Sequence, residues 1–155
     1  MSPSPQPQRP AAPQTGASIV RAEVTRDAIS AEELAALVAQ DAAGAVVTFS
    51  GVVRDHDQGR GVRGIEYSAH PTADDVVARI AARIAQREGV TALGLVHRVG
   101  ELAVGQTALA AAVSAPHRAE AFAACSELVE EVKRQLPVWK RQHFTDGSHQ
   151  WSGTA

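Results

Sequence analysis

The sequence predicts a mixed α+β fold, and three observations predict it. Apolar periodicity switches repeatedly between about two residues, the repeat of a half-buried strand, and about three and a half, the repeat of an amphipathic helix. Segments rich in valine and alanine with strand character are interleaved with three helical ones, which fits neither a bundle nor a sandwich. Turn chemistry separates them, most sharply at Pro137 and at Asp146-Gly147.

Each element has a local reason. ASIVRAEVT (17–25) alternates and reads as a strand. SAEELAALVAQ follows with Ser30 and Glu33 spaced as a capping box, so a helix starts near Ala31. GAVVTFSGVVR (44–54) is a β-branched run expected to form a buried strand, with Gly51 a candidate bulge. DHDQGRGVRG is expected to be a loop, with Asp55 and Asp57 as turn formers and Arg60 and Arg63 as loop charges. GIEYSAH (64–70) is a further strand, and TADDVVARIAARIAQREG is an amphipathic helix with Thr72 as N-cap and Gly89 as stop. VTALGLVHRV and QTALAAAVSA are strands joined by GELAVG, with His97-Arg98 as structural residues closing the turn. Pro116 takes the first position of a long helix that runs to about Leu136. Pro137 ends it, because its ring blocks the next intrahelical hydrogen bond and biases Leu136 away from helical angles. VWKRQHFT and SHQW flank Asp146-Gly147, a favoured tight-turn pair, and make a terminal hairpin.

The chain has 155 residues, enough for one domain with a real core at the usual ~100–200 residues per domain. Residues 1–16, MSPSPQPQRPAAPQTG, have no apolar run and cannot bury enough surface to offset chain entropy. They are expected to be a disordered tail, leaving residues 17–155 as a single domain. No secretory signal is visible and no window reaches the ~18 apolar residues of a membrane span, so a cytoplasmic protein without membrane contact is expected. A net charge of −2 supplies no global basic field for nucleic acid. The single Cys125 excludes an internal disulfide and lacks the clustered Cys/His set of structural zinc; it reads as core packing on a helix. His56 and Asp57 are adjacent potential ligands without a third, which argues against a metal.

The fifteen basic residues include only two lysines, Lys133 and Lys140, both inside EEVKRQLPVWKRQH. A solvated surface position accepts either cation, but guanidinium cannot lose its proton near neutral pH, so lysine is retained where an amine is needed. The break at Pro137 lets both project into one pocket at the helix end. The structural alternative for Lys133, a favourable charge at a helix C-terminus, is open equally to arginine, and Arg134 already sits there. In SAPHRAEAF, His117 and Arg118 fall in the first turn of the long helix, where free N–H groups and two cationic side chains suit a phosphate or carboxylate. In GVVRDHDQGRG, Arg54 ends a strand beside flexible backbone and can grip an anion bidentately. Trp139 can wall a flat ring, although a hydrophobic plug under the hairpin is the expected role.

Taken in order, VVTFSGVVRDH, HRVGELAVG, SAPHRAEAFAAC, EVKRQLPVWKR and a late Trp151 resemble the catalytic (large) subunit of molybdopterin synthase. The resemblance spans roughly residues 44–151. It implies an α/β-hammerhead type of α+β fold, with a mixed, mostly antiparallel sheet, three main helices and a C-terminal hairpin. It also implies a homodimer within a heterotetramer, with a small ubiquitin-like sulfur-carrier subunit at each end. That partner carries a C-terminal thiocarboxylate and donates sulfur to cyclic pyranopterin monophosphate, forming the dithiolene of molybdopterin without metal or organic cofactor. Carried over by motif, Lys133 and Lys140 match the functional lysines, and His117 and Arg118 match a pair at the substrate. Arg54 matches the strand-end arginine, and Lys140, Arg141 and Gln142 match a substrate-contacting segment. Val52 and Val53 match positions where the family often has a lysine first; with valine, only backbone contact carries over. Many relatives continue past the late tryptophan with a basic tail, whereas this sequence ends four residues after Trp151, so Arg141 is expected to take more of the anion load. Two rival readings remain at this stage: a non-catalytic docking module for a ubiquitin-like tail, and a Schiff-base lysine enzyme.

Overall fold

The computed structural model describes Ser4 and residues 16–153. The expected tail over residues 1–16 therefore lies, apart from Ser4 and Gly16, outside the described residues. Along the chain the elements are β1 (Ser18–Thr25), α1 (Ala31–Val38), β2 (Ala45–Val52), β3 (His56–Asp57), β4 (Arg60–Ala69) and α2 (Ala73–Ala85). They continue as β5 (Ala92–Arg98), β6 (Gly100–Ala103), β7 (Thr107–Ala115), α3 (Arg118–Gln135), β8 (Val138–Phe144) and β9 (His149–Gly153). One sheet has the order β1-β5-β7-β2, with β1 parallel to β5 and the other pairs antiparallel. The second runs β3-β4-β8-β9 and gains β6 on the edge of β4 opposite β8. This is the predicted mixed, mostly antiparallel α+β class, with its three helices and its C-terminal hairpin.

Strand alternation decides what each face of the first sheet meets. Leu93, Leu95, Leu109, Ala111 and Val113 pack under α2 and α3 in the main core. Ala92, Val96, Ala110 and Ala112 face the other way, beneath Leu34 and Val38 of α1. A third cluster, with Val53, Ile65, Leu102, Ala108 and Phe144, joins the two sheets. Helix α3 follows β7 and runs back along it, so its C-terminal turn lies over the start of β7 while its N-terminus lies at the far end of the sheet. That return path positions the candidate site.

Local signals held in several places. Ser30 Oγ accepts from the Glu32 and Glu33 amides at 3.1 and 3.3 Å, capping α1. A register shift at Gly51–Val52 is the expected bulge. Cys125 is buried, and burial pushes its thiol up to about 11, so it stays protonated core.

Other expectations are corrected. The stretch 55–64 is no loop: β3 and β4 form a hairpin whose two-residue turn puts Gln58 at φ 50° and Gly59 at φ 78°. Both left-handed values fit the mirror-image turn that matches strand twist, and a glutamine before glycine is a weaker signal for it than asparagine. GELAVG is likewise more than a connection, since its first residues form β6 on β4. Strand β2 is not buried; it is a sheet edge, with Val46 43% and Val52 50% exposed. Thr72 does not cap α2 through its side chain, because its hydroxyl is engaged with His70 Nδ1 at 2.8 Å. The helix ends at Ala85, ahead of Gly89. Pro116 precedes α3 rather than opening it: His117 is the N-cap, with extended backbone, and Arg118 is the first helical residue. Leu136 closes α3 immediately before Pro137, as expected. Among the described residues, no helix is long and apolar enough to cross a membrane.

Candidate functional site

A cavity of about 190 Å³ opens where the two sheets meet beneath the last turn of α3. Lys133 enters it from the helix, Lys140 and Gln142 from alternate positions of β8, and Arg54 from the segment after β2. The two lysines of the chain thus converge although a helix end and Pro137 separate them. Among the described residues neither lysine enters an ion pair, whereas Arg134, next to Lys133, is held by Glu131 at 3.1 Å. Arginine at this helix end serves as structure and lysine is left available. Arg54 is mostly exposed and lies 3.6 Å from Asp57, which also lines the cavity, so Asp57 is more than a turn former. Gln142 is 7% exposed and its Oε1 is buried without a partner, an acceptor still to be satisfied inside the cavity.

Three residues of the expected set sit differently. Val52 lines the cavity with its side chain, but Val53 is in the core at 3% exposure. The backbone of Val53 is also spent: its N–H donates to Gln106 and its carbonyl accepts from Gly105, at 3.0 and 2.8 Å. No free amide remains there for a ligand. Arg141 alternates to the opposite face of β8 from Lys140, donates to Glu66 at 2.9 Å and stacks over Trp151 at 5.1 Å, so it does not line the cavity. His117 and Arg118 are exposed at the far end of α3 and do not reach the lysines within one chain. Trp139 shares the Arg141 face and is 44% exposed, which corrects the expectation of a buried plug.

Sequence reading set His97 aside as structural and overlooked Tyr67; both line the cavity. Tyr67 on β4 pairs in register with Lys140, and burial raises its phenol above the usual range. His97 is 2% exposed, and its ring meets Tyr67 edge-on at 5.1 Å and 77°. Burial, with the nearby Lys133 charge adding to it, lowers His97 to about 4 despite its bond to the Arg98 carbonyl. The one signal for His97 was strand alternation from Leu93 and Leu95, which assigns it to the helix-covered face. The register placing Tyr67 opposite Lys140 has no signature in local sequence.

The His97 shift fixes a pH dependence. The unfolded ring titrates near ~6.5 and the folded one near about 4, so the unfolded state binds the extra proton first. Stability from this group is complete above ~6.5 and declines as pH falls towards 4. The loss expected between pH ~7 and ~5 is about 2 kcal/mol. Urea unfolding at both pH values should show a smaller loss in His97→Leu than in wild type; equal losses would place the buried neutral ring in error.

The α+β chain thus brings an exposed arginine and two lysines, neither of them ion-paired among the described residues, to one cavity. Residues 24–135 match the family described as MoaE protein. The chain belongs to the MoaE protein family. It is 42% identical to the molybdopterin synthase catalytic subunit of Nostoc sp. over 130 residues, covering 83% of this chain and 79% of that protein. The molybdopterin synthase structure from Staphylococcus aureus superposes with a TM-score of 0.77 at 32% identity, covering 85% of this chain and 96% of that one. A complex of subunits 1 and 2 of molybdopterin-converting factor from Helicobacter pylori shares the fold, with a TM-score of 0.65 at 19% identity over 87% and 88% of the two chains.

Proposed function

We propose that this chain is the catalytic subunit of a molybdopterin synthase, acting in the cytoplasm. It moves sulfur from the C-terminal thiocarboxylate of a small ubiquitin-like subunit to cyclic pyranopterin monophosphate, making the dithiolene. The observation that carries this reading is the convergence of Lys133 and Lys140 with Arg54 in one cavity, under a fold shared with proteins of that name. The thiocarboxylate sulfur attacks a carbon of the pterin and displaces an oxygen substituent, which leaves with the C–O electron pair, so that the carrier's carbonyl stays attached to the transferred sulfur; a second carrier repeats the step at the neighbouring carbon to complete the dithiolene. Water then adds to that carbonyl and releases the carrier as a carboxylate, leaving the sulfur on the pterin. Lys133, at the helix end, orients the incoming tail or takes a proton at the sulfur-transfer step; Lys140 stabilises the oxyanion that develops on the carbonyl. Arg54 grips an anionic group of the substrate.

The remaining anion contacts come from a second copy. The open edge of β2 and the 60%-exposed Phe122 on neighbouring α3, which lies beside Val47 and Phe49, form a surface without a partner among the described residues of the single chain. Ala45 of β2 pairs with Ala115, just before His117, and the other end of β2 lies at the cavity. A twofold partner laid antiparallel along β2 therefore brings its own His117 and Arg118 to this cavity.

Dithiolene formation from a thiocarboxylated carrier and cyclic pyranopterin monophosphate is the direct test; carrier binding without product would leave only a docking role. In the same assay Arg54→Ala should raise the apparent KM for the pterin about 10- to 100-fold, the loss of one charge-assisted contact. An unchanged KM would remove Arg54 from the substrate.

A further inference from the structure

We propose that His97 is a positioning residue for Lys133, its bare Nε2 accepting a hydrogen bond from the Lys133 ammonium and holding the amine at the reacting centre. The proposal rests on the reading above that Lys133 acts in sulfur transfer. His97 Nδ1 lies 2.8 Å from the Arg98 carbonyl. A carbonyl can only accept, so Nδ1 carries the proton and the neutral ring turns an unprotonated Nε2 outward. The edge-on contact with Tyr67 and 2% exposure leave the ring little freedom to rotate. Nε2 is not one of the fully buried polar atoms left without a partner; it opens on the cavity, where among the described residues no side chain is hydrogen-bonded to it.

The cavity lining supplies the donor. Tyr67 meets the imidazole through its ring, and Lys140 stands beside Tyr67 on the second sheet. Lys133 belongs to α3, which covers the face of the first sheet that carries Leu93, Leu95 and His97, and its charge already acts on the imidazole. A lysine stem is flexible, and an amine free to wander spends little time in line with a reacting atom. A carboxylate would fix it too, but as an ion pair of the kind that ties Arg134 to Glu131. A neutral acceptor fixes direction and leaves the full charge for the substrate.

The test exploits the presence of only two lysines. In lysine- and histidine-labelled protein, with Lys140→Arg used for assignment, NMR follows exchange of the Lys133 ammonium protons with water and the His97 Nε2 shift. Exchange should be about tenfold faster in His97→Leu and near wild type in His97→Gln, whose amide oxygen can accept. Lys133→Ala, at an exposed helix end, should move the Nε2 shift with the core untouched. In sulfur transfer His97→Leu should lower kcat about tenfold at unchanged KM, with recovery in His97→Gln. Unchanged ammonium exchange in folded His97→Leu, or an unmoved Nε2 shift in Lys133→Ala, overturns the contact whatever the activity. A lost contact with unaltered kcat overturns the positioning role. If wild-type protein transfers no sulfur while the NMR contact stands, the functional reading is what has failed.

Discussion

Lys133→Ala should lower dithiolene formation ~100-fold or more, the usual scale for losing a group that moves a proton or meets developing charge. The same is expected of Lys140→Ala. Neither change should unfold the chain, since Lys133 is exposed and Lys140 only partly buried. Single-turnover assays beside thermal denaturation separate the two effects. The more telling variant is Lys133→Arg, which keeps the charge but not an amine that can give up its proton. It should be nearly as inactive as alanine. Turnover near the wild-type rate would show that charge alone suffices, and the scarcity of lysine in this sequence would then carry no chemical meaning. The structure sharpens the comparison, because Arg134 is one residue away and is tied to Glu131, with Arg83 3.6 Å from the same carboxylate.

What the sequence made legible follows from the range of the forces involved. Caps, helix stops and tight turns are set by a few neighbouring residues, so Ser30, Pro137 and the Asp146-Gly147 turn were readable. The lysine pair was readable because it is a choice of residue type, which needs no geometry. Partner strands are non-local, and there the reading failed. The β3–β4 pairing, the addition of β6 to β4 and the edge position of β2 have no local signature. The site residues divide the same way. Whether Lys140 or Arg141 enters the cavity depends on the phase of β8, and β8 is phased by its register with β4. His97 reads as a turn residue because its place in the cavity depends on α3, which carries Lys133 thirty-six positions later, folding back over it.

A mixture of Arg118→Ala and Lys133→Ala proteins, each inactive alone, should regain activity after subunit exchange. His117 caps the start of α3 and Lys133 lies sixteen residues on, a separation of roughly 24 Å along the helix at 1.5 Å per residue. No proline or glycine lies between Arg118 and Gln135, so the helix has no kink to shorten that path. A pterin monophosphate spans about half the distance, so both ends of one helix cannot hold it. The antiparallel placement along β2 removes the difficulty, because it sets the start of one copy's α3 beside the end of the other's. In a mixed dimer one site then combines intact lysines with an intact His117–Arg118 pair, while the other site carries both lesions. With random pairing half the dimers are mixed and each has one working site, so activity should approach about a quarter of wild type. Mass spectrometry of differently tagged copies establishes that exchange has occurred. Proven exchange with no recovered activity would sink the shared site and leave His117 and Arg118 to some other anion.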